Sequence, residues 1–152
     1  MRCFKKINLK VKGFSLIELL IVMVVISILI SLAYPSYRAY INRANRADGQ
    51  ASLLDLASRM ERYYSDNHTY ATATIGTGNA TDVISSANTP EGWYTLSISN
   101  ANADSYTIIA TPTGTQATYD TLCQTLTYNH LGNRGVTTGP GGTPTGSAEE
   151  CW

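Results

Sequence analysis

The feature that most constrains this chain is an apolar run from Phe14 to Tyr34, 21 residues interrupted by a single charge, Glu18. As a helix rising about 1.5 Å per residue it would span about 31 Å, enough to cross a hydrocarbon core of about 30 Å. Arg2, Lys5, Lys6, Lys10 and Lys12 place five of the eleven basic residues ahead of Gly13, and all eleven acids follow it. A cationic flank stays in the cytoplasm, so everything beyond Tyr34 is expected on the far side of a membrane. Without residues 1–13, six basic side chains, all Arg, stand against eleven acids, a balance of −5. Non-specific affinity for nucleic acid comes mainly from cations that release counterions. This composition is therefore a poor general binder of DNA or RNA.

Three readings of the run compete. For a cleaved secretory signal, Ser31-Leu32-Ala33 is a passable small-x-small cut site, but the run exceeds the usual length of about 7–15 residues and an acid inside it is odd. A plain single-pass anchor explains the length but not Glu18, because an ionisable group in a membrane span is costly and usually functional. The third reading explains every feature: a basic leader ends at Gly13, Phe14 begins a new chain, and an acid lies five positions into it.

Gly13-Phe14-Ser15-Leu16-Ile17-Glu18-Leu19-Leu20 resembles the processing site of the type IV prepilins. The resemblance implies that a prepilin peptidase cuts the Gly13–Phe14 bond and methylates the new Phe14 amine. It also implies that Glu18 reaches the Phe14 amine of a neighbouring pilin subunit. An unpaired carboxylate buried in lipid or a filament core would cost several kcal/mol, so such a cation is its natural partner. Within one chain the amine and Glu18 lie four residues apart on one helical face.

Pro35 cannot donate to the carbonyl of Ser31, so a kink is expected there. The helical pattern resumes, with Leu53, Leu56, Ala57, Met60 and Tyr64 on one apolar stripe. Arg38, Arg43, Arg46, Asp55, Arg59 and Glu61 fall on other faces; Arg38, Arg43 and Arg46 could meet anionic lipid headgroups or acids on a neighbouring subunit, against the default of a solvated face. Gly49 is a weak point, costing about 1 kcal/mol relative to Ala. One helix is predicted from Ser15 to Tyr64; two helices broken at Pro35 are the alternative.

Polarity rises after Tyr64. Residues 65–90 lack clear periodicity and read as a long surface loop. Alternation at Tyr94, Leu96 and Ile98, and again at Tyr106, Ile108 and Ala110, predicts two half-buried strands. Pro112-Thr113-Gly114 supplies a turn, and a third strand is expected from Leu122 to Tyr128 with Leu122, Leu126 and Tyr128 inward. Consecutive strands joined by turns favour an antiparallel meander packed on the Leu53–Tyr64 stripe. Residues 132–146 hold six glycines and two prolines, a tract not expected to be rigid by itself.

Removing residues 1–13 takes Cys3 with it and leaves Cys123 and Cys151. The pair suits a disulfide in an oxidising compartment, and two free buried thiols are the alternative. A bridge would close a loop of 29 residues, worth about 3.5 kcal/mol by chain entropy. The predicted fold is thus α+β: a long N-terminal helix, its first half transmembrane, packed on a small antiparallel sheet with a disulfide-bounded C-terminal loop. The divisions are a leader over 1–13, an assembly helix over 14–34, an amphipathic half over 35–64 and a head over 65–152, with the loop over 123–151.

Tyr34-Pro35-Ser36-Tyr37, Asn45-Arg46-Ala47-Asp48-Gly49-Gln50, Glu61-Arg62-Tyr63-Tyr64, Asn67-His68-Thr69-Tyr70 and Cys151-Trp152 are similar to the PilE class of minor pilins. This resemblance implies a filament subunit held in the inner membrane with its head in the periplasm, then carried to a pilus at the bacterial surface. It implies other pilins and membrane lipid as partners, weak or indirect contact with DNA or a host surface, and support for pilus biogenesis, twitching motility, adhesion or DNA uptake. The alternatives are a pseudopilin of type II secretion, or a secreted or anchored binding module with an ordinary signal. Enzyme signatures such as H-E-x-x-H, C-x-x-C and G-x-S-x-G are missing. His68 and His130 read as ordinary surface residues, so neither catalysis, metal nor cofactor is expected.

Overall fold

The computed structural model describes residues 13–152; the expectations for residues 1–12, including Cys3 and the leader cations, lie outside it. Helix α1 runs Leu16–Asn67 with Pro35 inside it, so the helix is not broken at the proline. The chain divides into two compact units, one ending at Tyr37 and one covering Arg38–Trp152.

In the first unit the apolar side chains all face outward; Leu16 is 90% exposed and Leu29 60%. An 18-residue window of this helix has a mean hydropathy of 2.9 with none of it buried. Two of its serines, Ser27 and Ser31, cost little in an apolar setting because each is satisfied by its own helix. Ser27 Oγ donates to the Met23 carbonyl at 2.7 Å and Ser31 Oγ to the Ile28 carbonyl at 2.8 Å.

In the second unit the remainder of α1 turns Leu53, Leu56 and Met60 fully inward, each 0% exposed. They join Tyr94, Leu96, Tyr106, Ile108 and Leu126 in one core. Strands β1 (Thr74–Ile75) and β2 (Asp82–Ile84) form a small parallel pair. Strands β3 (Tyr94–Ala101) and β4 (Tyr106–Pro112) follow, then helix α2 (Gly114–Tyr119), strands β5 (Thr125–Asn129) and β6 (Arg134–Thr137), and helix α3 (Ala148–Cys151). The order β3-β4-β5-β6 is an antiparallel meander, as the alternation predicts. Period-two burial is clearest in β4, where Tyr106, Ile108, Ala110 and Pro112 are all buried.

Gly49 proves to be more than a weak point. A Cβ built there would lie 3.0 Å from the Tyr94 ring, so the glycine lets a large aromatic side chain close onto the helix.

Four expectations need correction. Residues 65–90 are not a featureless loop: α1 continues to Asn67 and β1 and β2 follow. Strands of two and three residues are too short to show periodicity, and a polar cluster holds them instead. The Asp82 carboxylate accepts from Thr74 Oγ1 at 2.7 Å, Thr77 Oγ1 at 2.7 Å and the Gly78 N–H at 2.7 Å. The bond from Thr74, followed by those from Thr77 and Gly78, holds its carboxyl below the usual range.

Leu122 is exposed rather than inward, because α2 occupies the connection and β5 begins only at Thr125. The glycine-rich tract contains β6, and beyond it the Gly139 and Gly142 backbones bond to each other. Gly141 N–H adds a 2.9 Å bond to Gln124 Oε1, so the tract is held by backbone bonds that composition does not reveal. Finally, Arg46 does not lie on a solvated face; it is 7% exposed.

Candidate functional site

Gly13 has no heavy atom of another segment near its Cα, and Phe14 is 82% exposed. Glu18 sits in the first turn of α1, where the helix dipole favours a carboxylate. It is exposed and makes no ion pair among the described residues. The start of α1 therefore presents an aromatic residue and an acid on a helix whose whole circumference is apolar and outward-facing. Such a surface must be covered by lipid or by other helices.

The far end of the chain is strapped down. Cys123 and Cys151 form a disulfide with Cα atoms 5.5 Å apart, and both residues are buried. Three further contacts sew the strap in place. Gln50 Nε2 donates to the Cys151 carbonyl at 2.7 Å, which fixes the chain end to α1. Trp152 Nε1 donates to the Gly135 carbonyl at 3.0 Å, which fixes it to β6. Helix α3 begins with a capping box in which the Ser147 side chain and the Glu150 backbone and carboxylate bond reciprocally. The two Ser147 bonds hold the Glu150 carboxyl below its ordinary range.

A buried polar network ties α1 to α2. Arg46 Nε lies 3.0 Å from Asp120 Oδ2, with exposures of 8% and 2%. Its N–H is not aimed along that contact, so we treat the pair as opposed charges rather than a hydrogen bond. Gln116 Nε2 shares its donors among Asp120 Oδ2 at 2.9 Å, Tyr94 Oη at 3.1 Å and the Asn42 carbonyl at 3.1 Å. Asn45 Nδ2 returns a bond to Gln116 Oε1 at 3.1 Å. Burial pushes the Asp120 carboxyl up, against the opposing pull of the Arg46 charge. Nothing in the sequence pattern announces this network, since Gln116 and Asp120 lie in a stretch with no strong period.

The lower end of α1 is tied to the β3–β4 turn by tyrosines. Tyr64 stacks on Tyr70 at 4.6 Å between centroids, and Tyr70 meets Tyr106 edge-on at 4.8 Å. The Tyr70 hydroxyl donates to Glu61 at 2.9 Å. Burial, then the Glu61 bond and charge, push that phenol up to about 12.

An apolar helix that begins with an aromatic residue and an acid, followed by a meander whose last turn is disulfide-strapped, defines a pilin-like filament subunit. Residues 35–127 match the family described as "Type IV minor pilin ComP, DNA uptake sequence receptor". Residues 8–34 match the prokaryotic N-terminal methylation motif. The chain belongs to the type IV minor pilin family. It is 40% identical over 105 residues to the type IV wide pilus major component PilA4 of Thermus thermophilus, covering 68% of this chain and 75% of that one. It is 31% identical over 67 residues to the type II secretion system core protein G of Escherichia coli, covering 44% and 46%. The crystal structure of the Neisseria meningitidis non-core minor pilin PilV superposes with a TM-score of 0.49 at 22% identity, over 70% of this chain and 97% of that one.

The protein is thus a structural subunit of a type IV pilus, anchored in a membrane by its apolar helix before it joins a pilus at the cell surface. The methylation motif implies a prepilin peptidase and other pilins as its partners.

Proposed function

We propose that a prepilin peptidase cuts this chain between Gly13 and Phe14, methylates the Phe14 amine, and so converts a membrane anchor into an assembly element. In this reading residues 1–13 are the leader and 14–34 the single membrane span. The helix half 35–64 and the head 65–152 lie outside the cytoplasm. Pro35, which offers no donor to the Ser31 carbonyl, is where the rod bends. The subunit acts by packing and performs no catalysis.

The observation that carries the reading is Glu18: an acid with no ion pair among the described residues, four residues from Phe14, in a helix segment otherwise apolar and exposed. Moving that helix into a filament core desolvates the carboxylate, and the Phe14 amine of a neighbouring subunit offsets the cost. The pairing selects axial register more than it adds stability. Glu18→Ala is expected to be processed and inserted normally but to be missing from sheared filaments. N-terminal sequencing and immunoblots of membrane and filament fractions test this, and normal filament incorporation of the variant would sink it.

Co-purification of the wild type with sheared pili separates this reading from a type II secretion pseudopilin. The matches to the core G proteins cover under half of either chain.

The family description names a DNA uptake sequence receptor. The head offers few cations for that role. Arg46 is paired with Asp120 and Arg59 with Asp55, while Arg38 lies 3.6 Å from the Tyr119 ring centroid and Arg134 5.3 Å from that of Trp152. We therefore assign the chain a structural role first. Any DNA contact of the head would be weak and sensitive to salt.

A further inference from the structure

We propose that α3 is a detachable clasp over the Cys123–Cys151 disulfide, and that its release, rather than unfolding of the head, is what lets a thiol reach that bond. The two cysteines are 0% and 1% exposed, and both belong to the buried core. Thiol–disulfide exchange needs a thiolate in contact with one of the two sulfurs. The bond is therefore closed to exchange until part of the head moves.

The part that can move is narrow. Thr145 N–H donates to the Thr121 carbonyl at 3.1 Å and Gly146 N–H to the Leu122 carbonyl at 2.8 Å, so the chain is knit to the connection before β5 as far as Gly146. Beyond that point Ser147–Trp152 holds a single helical turn, too short to be stable by itself. Its capping box joins two exposed residues, Ser147 and Glu150, so it shapes the turn without fastening it to the head. The fastening falls on either side of the Cys151 sulfur. Gln50 Nε2 grips the Cys151 carbonyl, and Trp152 Nε1 grips the Gly135 carbonyl with the ring seated beside Tyr128. Each neutral bond of this kind is worth about fivefold in an equilibrium constant. An element held this lightly opens far more often than a sheet closed around a packed core. For a filament subunit the consequence is protection: packed copies bring many such bonds together, and a closed clasp keeps them from exchanging into links between copies.

The test follows reduction of the oxidised full-length chain in detergent by dithiothreitol, without denaturant. One thiolate of the reagent bonds to a cysteine sulfur as the S–S bond breaks, and the other cysteine leaves as a thiolate. The reagent's second thiolate then displaces the first cysteine and closes the oxidised ring, so the protein gains two thiols. New thiols at Cys123 and Cys151 are alkylated and counted by mass spectrometry. At matched reagent concentration the wild type should be reduced at least about 25-fold more slowly than the same chain in urea, the product of the two fastening bonds. Gln50→Ala should speed reduction about fivefold, and Trp152→Phe, which keeps an aromatic ring but loses the N–H, by about the same factor. Ile108→Val is the control: Ile108 is buried in β4, whereas α3 packs chiefly on β6. It should shift urea unfolding of the head by about fivefold in equilibrium constant and leave the reduction rate unchanged. A rate raised by Ile108→Val as much as its unfolding is shifted overturns the inference, because thiols would then enter through global unfolding. Wild-type reduction as fast as that of the urea-unfolded chain also overturns it, because nothing would be shielded. Unchanged rates in both Gln50→Ala and Trp152→Phe would show that α3 is not the gate.

Discussion

The first half of α1 and the second put their apolar side chains to opposite ends. Up to Tyr37 the described side chains are exposed on every face, and no described residue of the unit covers them. From Arg38 onward the same helix has a narrow stripe, Leu53, Leu56, Ala57 and Met60, closed over by a four-stranded sheet. The first half is thus built for surroundings supplied by lipid and by other subunits, and the second completes its own core. A pilus subunit needs both: a part that can exchange lipid for neighbouring helices, and a part whose shape survives the exchange. Both tryptophans, Trp93 and Trp152, lie in the head, so their fluorescence reports that part alone.

The contrast can be broken in three ways. The largest effect is expected at the Arg46–Asp120 pair. Asp120→Ala strands a buried guanidinium, and the head should lose about 3–5 kcal/mol in urea unfolding followed by tryptophan fluorescence. A loss below about 1 kcal/mol would mean that water reaches Arg46 and that the head is less closed than its burial indicates.

Gly49→Ala comes next. Helix propensity alone favours Ala by about 1 kcal/mol, yet the new methyl group would press on the Tyr94 ring at 3.0 Å. We expect a net destabilisation of about 1–3 kcal/mol from overpacking. A stabilised variant would show that the ring moves aside and that packing there is loose.

The smallest effect on the head is expected from Leu29→Ala. This side chain is 60% exposed, so in detergent the head should unfold within about 0.5 kcal/mol of wild type. Recovery in sheared filaments should fall nonetheless. A shift of the head by more than about 1 kcal/mol would show that the apolar half helps to hold the head, and the comparison would fail.

The sequence alone determined whatever depends on local pattern. An uninterrupted apolar run with one acid, a cationic flank and a Gly-Phe junction is local, and so is the alternation that marks β3 and β4. The pairing of Cys123 with Cys151 followed from counting, because only two cysteines lie beyond Gly13. Tertiary structure decided whatever depends on which distant residues meet. Arg46 reads as one more exposed helix arginine until Asp120, 74 positions later, is placed against it. Gly49 reads as a flaw until Tyr94 is seen over it. The glycine-rich tract reads as slack until Gln124 and a facing backbone hold it. Periodicity records which side of an element faces inward. It carries no record of what waits there, because that partner is set by how the chain closes on itself.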